Sequence, residues 1–306
     1  MSPPFLEDFC YIWIVMSSFQ PIIKWTGSKR SQCDELIQCF PDEIDTYYEP
    51  FCGGCSMMRR LLDSDVKFNK IVCSDFNIDL ITLWKEIQLH PNDVFWKYSE
   101  MWSTMMECGD VDSKRSYFEQ KRYEYNMTHD PFIFFFIMRT TTNGMPRYNS
   151  KGEFNNSFHL TRNGITPENL KPILLDWHQK LNQYDIEFKH CSYEKIFGEA
   201  KGNDFVYLDP PYVSVLKHSM YSGGMNFDQY FNELYWLNKK GVKYMMSFSG
   251  KSGSEDNTCR VPEDCYIKHL YIKSGNSSFK RTTGNDKNAM VYESLYLNFE
   301  KDGKLF

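Results

Sequence analysis

No apolar run in this 306-residue chain reaches the length of a membrane-spanning helix, so no such helix is expected. The stretch Phe9 to Met16 is apolar but short, and it lacks the basic start and small-residue cleavage site of a secretory signal. Residues 1–16 therefore read as an N-terminal extension, with Met16 as an alternative start. A large excess of charge is also missing. The net charge of −5 leaves nucleic acid open as a partner, because binding depends on where basic residues lie rather than on their total. Of ten cysteines only Cys52 and Cys55 form a C-x-x-C pair, and no second pair or His pair completes a four-ligand metal site. The other cysteines are scattered singly, as suits a reducing cytosol, so a cytoplasmic location is expected. The P-loop spacing G-x-x-x-x-G-K-[ST] is absent, and so is a full G-x-G-x-x-G, which disfavours a P-loop nucleotidase and a dinucleotide dehydrogenase. There is no internal repeat.

What is present is organised around Asp209-Pro210-Pro211-Tyr212, which follows the apolar run Phe205 to Leu208. That run reads as a buried strand with Asp209 at its C-terminal tip. Two prolines stiffen the backbone leaving it. Open α/β sheets bind ligands beyond their strand ends, which places a site here. A carboxylate, a rigid carbonyl at Pro210 and the ring of Tyr212 suit an exocyclic amino group on a nucleobase. The lone pair of such a nitrogen is delocalised, and acceptors facing its N–H bonds draw it toward tetrahedral geometry while an aromatic ring holds the base. Taken alone, the tetrapeptide is equally a strand followed by a turn.

Upstream, Ile22 to Arg30 is an apolar pair leading into a Gly/Ser loop, with helical spacing from Ser31 to Phe40. A loop opening a helix offers free N–H donors to an anion; Trp25 could cover an adenine or a methionine chain, and Lys29 could pair with an anion. Thr46 to Cys55, followed by helical spacing over 56–62, is the strand, glycine-rich turn and helix of a nucleotide-cofactor unit. The strand Ile71 to Asp75 ends in an acid roughly 20 residues past the glycines, the offset of a carboxylate that grips ribose hydroxyls. Cys52 and Cys55, flanking the glycines, read as small packing residues.

After a helix over Ile78 to Gln88 the character changes. Residues 114–171 carry nine Lys/Arg and five Asp/Glu, +4 in an acidic chain. Helical runs cover Tyr117 to Asn126 and Pro131 to Arg139, then a loop spans 140–148 and a hairpin turn 149–154. Arg, Asn and Thr side chains with an apolar wedge on a hairpin suit groove reading and phosphate contact, although a solvated basic loop looks similar. Beyond it come a helix over 172–182, strands over 186–191 and 205–208, a helix over 230–240 and a strand over 242–248. A polar, mobile loop over 250–258 follows, then antiparallel strands over 266–272 and 291–299 with a polar loop, 274–287, between them.

Lys24-Trp25-Thr26-Gly27-Ser28-Lys29, Glu49-Pro50-Phe51-Cys52-Gly53-Gly54, Ser74-Asp75-Phe76-Asn77 and Asp209-Pro210-Pro211-Tyr212 occur in the order seen in Dam-type DNA adenine methyltransferases. So does the block Arg139 through Asn143-Gly144, Arg147-Tyr148-Asn149 and Gly152 to Asn155. The chain resembles that family from about Ile22 onward. The resemblance implies an α/β fold, a Rossmann-like methyltransferase sheet (17–92 and 183–306) flanked by helices. It also implies an inserted, mostly helical target-recognition domain (93–182) carrying a β-hairpin. It implies methyl transfer from S-adenosylmethionine to an adenine amino group flipped out of double-stranded DNA, with a cognate restriction endonuclease as a candidate partner and a monomer or weak dimer. Trp25, Lys29, Phe51, Gly53, Asp75 and Asp209 match cofactor-binding positions. Asp209, Pro210 and Tyr212 match the catalytic tetrapeptide. Arg147 matches an arginine of the recognition hairpin, and Arg139, Asn143 and Met145 of the same block are further candidate DNA contacts. The chain departs from GATC-reading members at Thr142, Ser157 and His159-Leu160. Two rivals stay open: the same chemistry on cytosine or RNA, and a silent DNA-binding protein.

Overall fold

A computed structural model describes residues 19–211, 225–252, 255–276 and 290–301. Its framework is a sheet of strand order β3-β2-β1-β4-β5-β8-β7. β1 (Glu43–Glu49), β2 (Lys67–Asp75), β3 (Ile186–His190), β4 (Phe205–Leu208) and β5 (Lys243–Ser252) run parallel. A two-residue β6 (Glu255–Asp256) pairs with β5, and β8 (Met290–Leu297) lies antiparallel between β5 and β7 (Lys268–Asn276).

The strands become largely apolar and buried where both faces are covered: all of β4, and the carboxyl-terminal halves of β1 and β2. Side chains alternate across the sheet. Tyr47, Phe205, Tyr207 and Met245 join the core on one face, and Tyr48, Val206, Leu208 and Met246 that on the other. The second face is closed by α8 (Tyr193–Glu199) and α9 (Phe227–Lys239), through Ile196, Phe197, Tyr230, Leu234 and Leu237. On the first lie the short α1 (Cys33–Leu36), α2 (Ser56–Leu62) and α3 (Ile78–Leu89).

Between α3 and β3 stand α4 (Pro91–Glu107), α5 (Val111–Thr128), α6 (Pro131–Thr140) and α7 (Pro167–Gln183). Their starts are written locally. Asp110 accepts from Ser113 N, Asp130 from Phe132 N and Ile133 N, and Thr166 from Asn169 N, with Pro at the first helical position of α6 and α7. Tyr98, Met105, Phe134, Phe135 and Trp177 of these helices belong to the same buried cluster as Tyr47, Leu80 and Trp84 beneath the sheet. One core therefore runs from the strands through the inserted helices.

Several expectations change. The helix expected over 31–40 is only α1 and a single 3₁₀ turn, Ile37–Cys39, because Phe40 precedes Pro41 and turns extended. α5 and α7 are longer than read, and α7 begins at Pro167 and runs through Pro172. α4 and α8 were not anticipated. The polar stretch over 250–258 is in part ordered strand, since β5 continues to Ser252 and turns into β6. The extension 1–16 and residues 277–287 of the expected loop lie outside the described residues.

The connections determine where a ligand can enter. From β1 the chain winds outward to β2 and β3, then returns to β4 on the other side of β1. The crevice at the carboxyl ends of β1 and β4 is thus the topological switch point.

Candidate active site

Three strand ends meet this crevice: β1 delivers Glu49 and Phe51, β2 delivers Asp75, and β4 delivers Asp209. The Asp209 carboxylate is held on both oxygens. Lys29 Nζ lies 2.7 Å from Oδ1 and 2.7 Å from Oδ2, and Ser247 Oγ on β5 donates to Oδ1 at 3.0 Å. Ser247 is itself 3.0 Å from the Tyr207 hydroxyl. Lys29 is only 4% exposed; its ammonium also reaches the Gly27 carbonyl at 3.3 Å and Glu293 Oε2 at 3.7 Å. Burial alone would lower the Lys29 ammonium, but Asp209 and Glu293 outweigh it and hold it above its ordinary value. Glu293 is in turn bonded by Gln32 Nε2 at 3.0 Å, and burial raises its carboxyl against the pull of Lys29.

Lys29, expected to pair with an anion, thus finds its anions within the chain. Its charge is engaged by two carboxylates, so what it does first is orient Asp209. Pro210 is buried beside it, and Tyr212 lies outside the described residues.

The glycine loop is fixed from three sides. Gly53 N donates to Asp75 Oδ2 at 3.1 Å, its carbonyl accepts from Trp84 Nε1 at 2.9 Å, and Trp25 lies over its Cα. Gly53 has φ +46°, and a Cβ there would stand 2.7 Å from Trp25 Cδ1, so no other residue fits. Asp75 also accepts from Asn77 N at 3.0 Å. Burial raises its carboxyl while these donors oppose the rise. Phe51 packs on Tyr193 with ring centroids 5.7 Å apart.

Sequence reading missed Phe76, which directly follows Asp75 and leaves its ring 82% exposed at the strand end. An apolar residue after a strand-terminal acid was the available signal. It also missed Glu49. This buried carboxylate accepts from the Tyr47 hydroxyl and from Met58 N, both at 2.8 Å. It thereby supplies the donor-side cap that Cys55, in a left-handed conformation, does not give to α2. Burial pushes the Glu49 carboxyl up to about 8.

The middle block forms a rim beside the crevice. Two antiparallel bridges, Thr141 with Phe158 and Tyr148 with Phe154, make a hairpin whose turn is closed by Asn149 Oδ1 accepting from Lys151 N and Glu153 N. Arg147 is partly exposed and is aimed by Asn155, through Nε to Oδ1 at 2.8 Å and Nη2 to the carbonyl at 3.1 Å. Asn143 is exposed in a left-handed conformation and Met145 half-buried. Gly144 presses on Lys24, where a Cβ would lie 2.6 Å from Lys24 Cβ. Arg139 departs from its expected place on DNA. It is 6% exposed, and its Nη1 donates to the carbonyls of Pro21 and Ile22, so it fixes the segment leading to Trp25.

Lys24 is lowered by burial and then by Arg139 and Arg162, and His159 by burial and then by Arg162 and Lys24. Cations are thus concentrated next to the hairpin, beside a groove of about 510 Å³ lined by Arg115, Thr142, Phe158, His159 and Leu160. A second cavity of about 520 Å³ lies at the opposite end of the sheet, around Glu43, Asp45 and Asp204, away from Asp209.

Residues 25–290 match the family described as D12 class N6 adenine-specific DNA methyltransferase. The chain is 29% identical over 208 residues to the DNA adenine methylase of Haemophilus influenzae, covering 67% of this chain and 68% of that protein. It is 27% identical over 305 residues to type II methyltransferase M.MjaIII of Methanocaldococcus jannaschii, covering 92% and 99%. With type II methyltransferase M.FokI of Planomicrobium okeanokoites it shares 26% over 290 residues, 91% of this chain but only 43% of that protein. The chain therefore spans less than half the length of M.FokI.

Proposed function

Because the chain belongs to the D12 class N6 adenine-specific DNA methyltransferases, we propose that it methylates the exocyclic amino group of adenine in a short duplex site. The observation that carries this reading is the Asp209 carboxylate at the switch point, oriented from behind by Lys29 and Ser247. S-adenosylmethionine supplies the methyl group as an electrophilic sulfonium.

The residues present fit that donor. Trp25, Gly53 and Asp75 wall one side of the crevice with a backbone too close for any side chain. Phe76 leaves a bare aromatic face for a purine, and Phe51 adds apolar surface. Asp75 has the acceptor atoms for ribose hydroxyls.

Duplex DNA cannot present an adenine nitrogen to a crevice between strands, so the base rotates out at a cost of a few kcal/mol. Asp209 and the Pro210 carbonyl accept from the amino group, which localises its lone pair, and Tyr212 stacks on the ring. Alignment of the two substrates supplies much of the rate gain. The proton released on methylation leaves to water.

Residues 93–182 act as the target-recognition segment in this reading. Arg147, Asn143 and Met145 face the groove of the duplex from the hairpin, while Lys24 and Arg162 meet phosphates. Arg139 and Arg162 both bear on Lys24 there, a concentration of positive charge that suits a polyanion. A cognate endonuclease remains a partner to be sought.

The test is incubation of the full chain with plasmid DNA and S-adenosylmethionine labelled in the methyl group, followed by nucleoside analysis. Label in N6-methyladenine is expected. Label in cytosine, or no transfer to the plasmid with transfer to RNA in a parallel incubation or to neither, would overturn the reading.

A further inference from the structure

The Asp209 carboxylate has about four acceptor directions, of which Lys29 takes two and Ser247 a third. An incoming amino group therefore meets an acceptor with one direction left and its charge largely neutralised by the Lys29 ammonium. To bind that group well, Asp209 must release part of this hold. A buried ammonium cannot simply let go of its counter-ion, because an unpaired charge in a dry site costs several kcal/mol. A second carboxylate stands within reach: Glu293 Oε2 on β8 is 3.7 Å from Lys29 Nζ. It is held toward Lys29 by Gln32 Nε2 at 3.0 Å and by the Ser274 hydroxyl at 3.4 Å.

We propose that Glu293 is a positioning residue, the second seat of the Lys29 ammonium, which takes that charge when the adenine amino group engages Asp209. Lys29 then moves between two carboxylates without losing its counter-ion, and no proton is transferred in the exchange. Asp209 touches substrate; Glu293 acts only through Lys29. The inference rests on the reading of Asp209 as the amino acceptor, and the experiment separates the two.

A duplex with 2-aminopurine at the target adenine reports base extrusion by fluorescence, and a matched duplex with adenine gives the single-turnover methyl-transfer rate. Wild-type transfer to adenine that Asp209→Ala abolishes establishes the reading on which the inference rests; a wild type that transfers nothing, or an Asp209→Ala protein that still transfers, removes both. With wild type active, Glu293→Gln is expected to slow single-turnover transfer by about tenfold or more and to reduce the 2-aminopurine signal, with DNA affinity within about twofold. Glu293→Asp, which keeps the charge, is expected to retain more activity than Glu293→Gln, and it serves as the informative variant if the Gln protein does not fold. In a Lys29→Met background, adding Glu293→Gln is expected to change the residual rate by less than about twofold, since the two residues act as one unit. Undiminished transfer in Glu293→Gln, or the same fold-loss in the presence and absence of Lys29, would overturn the proposal.

Discussion

Asp209, Glu49 and Arg139 are three buried or half-buried ionisable groups with three different duties. Asp209→Ala removes the acceptor and leaves the DNA rim intact; transfer is expected to fall by at least about a thousandfold, with DNA affinity within about twofold. Retained transfer in a filter-binding methylation assay would contradict the assignment. Glu49 acts on stability. Its carboxyl binds its proton more tightly folded than unfolded, being raised from 4.5 to about 8 by burial. The stabilising contribution is therefore complete below about pH 4.5 and is lost as pH rises toward 8. Urea unfolding at pH 5.5 and pH 8.5 is expected to show a stability decline in the wild type that Glu49→Gln reduces, since Gln keeps an acceptor for Met58 N. An unchanged slope would count against the ionisation of this group. Arg139 was legible as part of a family block but not as a buried brace: one-dimensional spacing does not say that the carbonyls of Pro21 and Ile22 arrive beside it. Arg139→Ala is expected to cost about 2–4 kcal/mol in stability without a matching change in the DNA affinity of the folded protein, because it removes a buried donor from two carbonyls. Loss of DNA affinity at unchanged stability would return Arg139 to the interface.

At the scale of elements, the parts written in local sequence were readable and the parts set by contacts were not. β4 with its Asp209 tip, β2 with Asp75 and the Pro131 start of α6 follow from apolar runs, caps and proline rules. α4 escaped notice although Val94, Tyr98, Met101 and Met105 are its buried side chains, because abundant aromatic and polar residues around them blur the stripe. The continuation of β5 to Ser252 depends on pairing with β8, distant in sequence, and β6 in turn folds back on that continuation, so a polar stretch gives little warning of either. The hairpin's tie to the crevice is likewise a contact property. Gly144 has φ +61° and rests against Lys24, one residue from Trp25, while the Tyr148 hydroxyl accepts from Asn77 Nδ2 at 3.1 Å. Gly144→Ala introduces a clash and a disfavoured backbone together, at an expected cost of about 1–3 kcal/mol. Because the clash pushes on the Trp25 segment, cofactor affinity measured by titration calorimetry is expected to weaken along with DNA affinity. A loss confined to DNA would show that Gly144 serves the hairpin alone.

For the whole molecule, the decisive fact is the shared core. The boundaries expected at 92/93 and 182/183 fall in the first turn of α4 and the last turn of α7, and Trp84 and Trp177 sit with ring centroids 5.0 Å apart across them. Calorimetry is therefore expected to give one cooperative unfolding transition, and two resolved transitions would show that the helices melt independently. A chain in which residues 91–183 are replaced by a short linker is expected not to fold, since Leu80, Trp84 and Ile87 lose the partners that bury them.

Such a seamless interior limits how new sequence preferences can arise in this lineage. A reader of DNA joined through an independent hinge could be exchanged wholesale by recombination, whereas here a foreign segment would have to match dozens of side chains at once. If the hairpin reads the duplex as proposed, novelty has to come by small steps at the outer lip, around Asn143 and Arg147, where a changed residue would alter what is read and leave the foundation untouched.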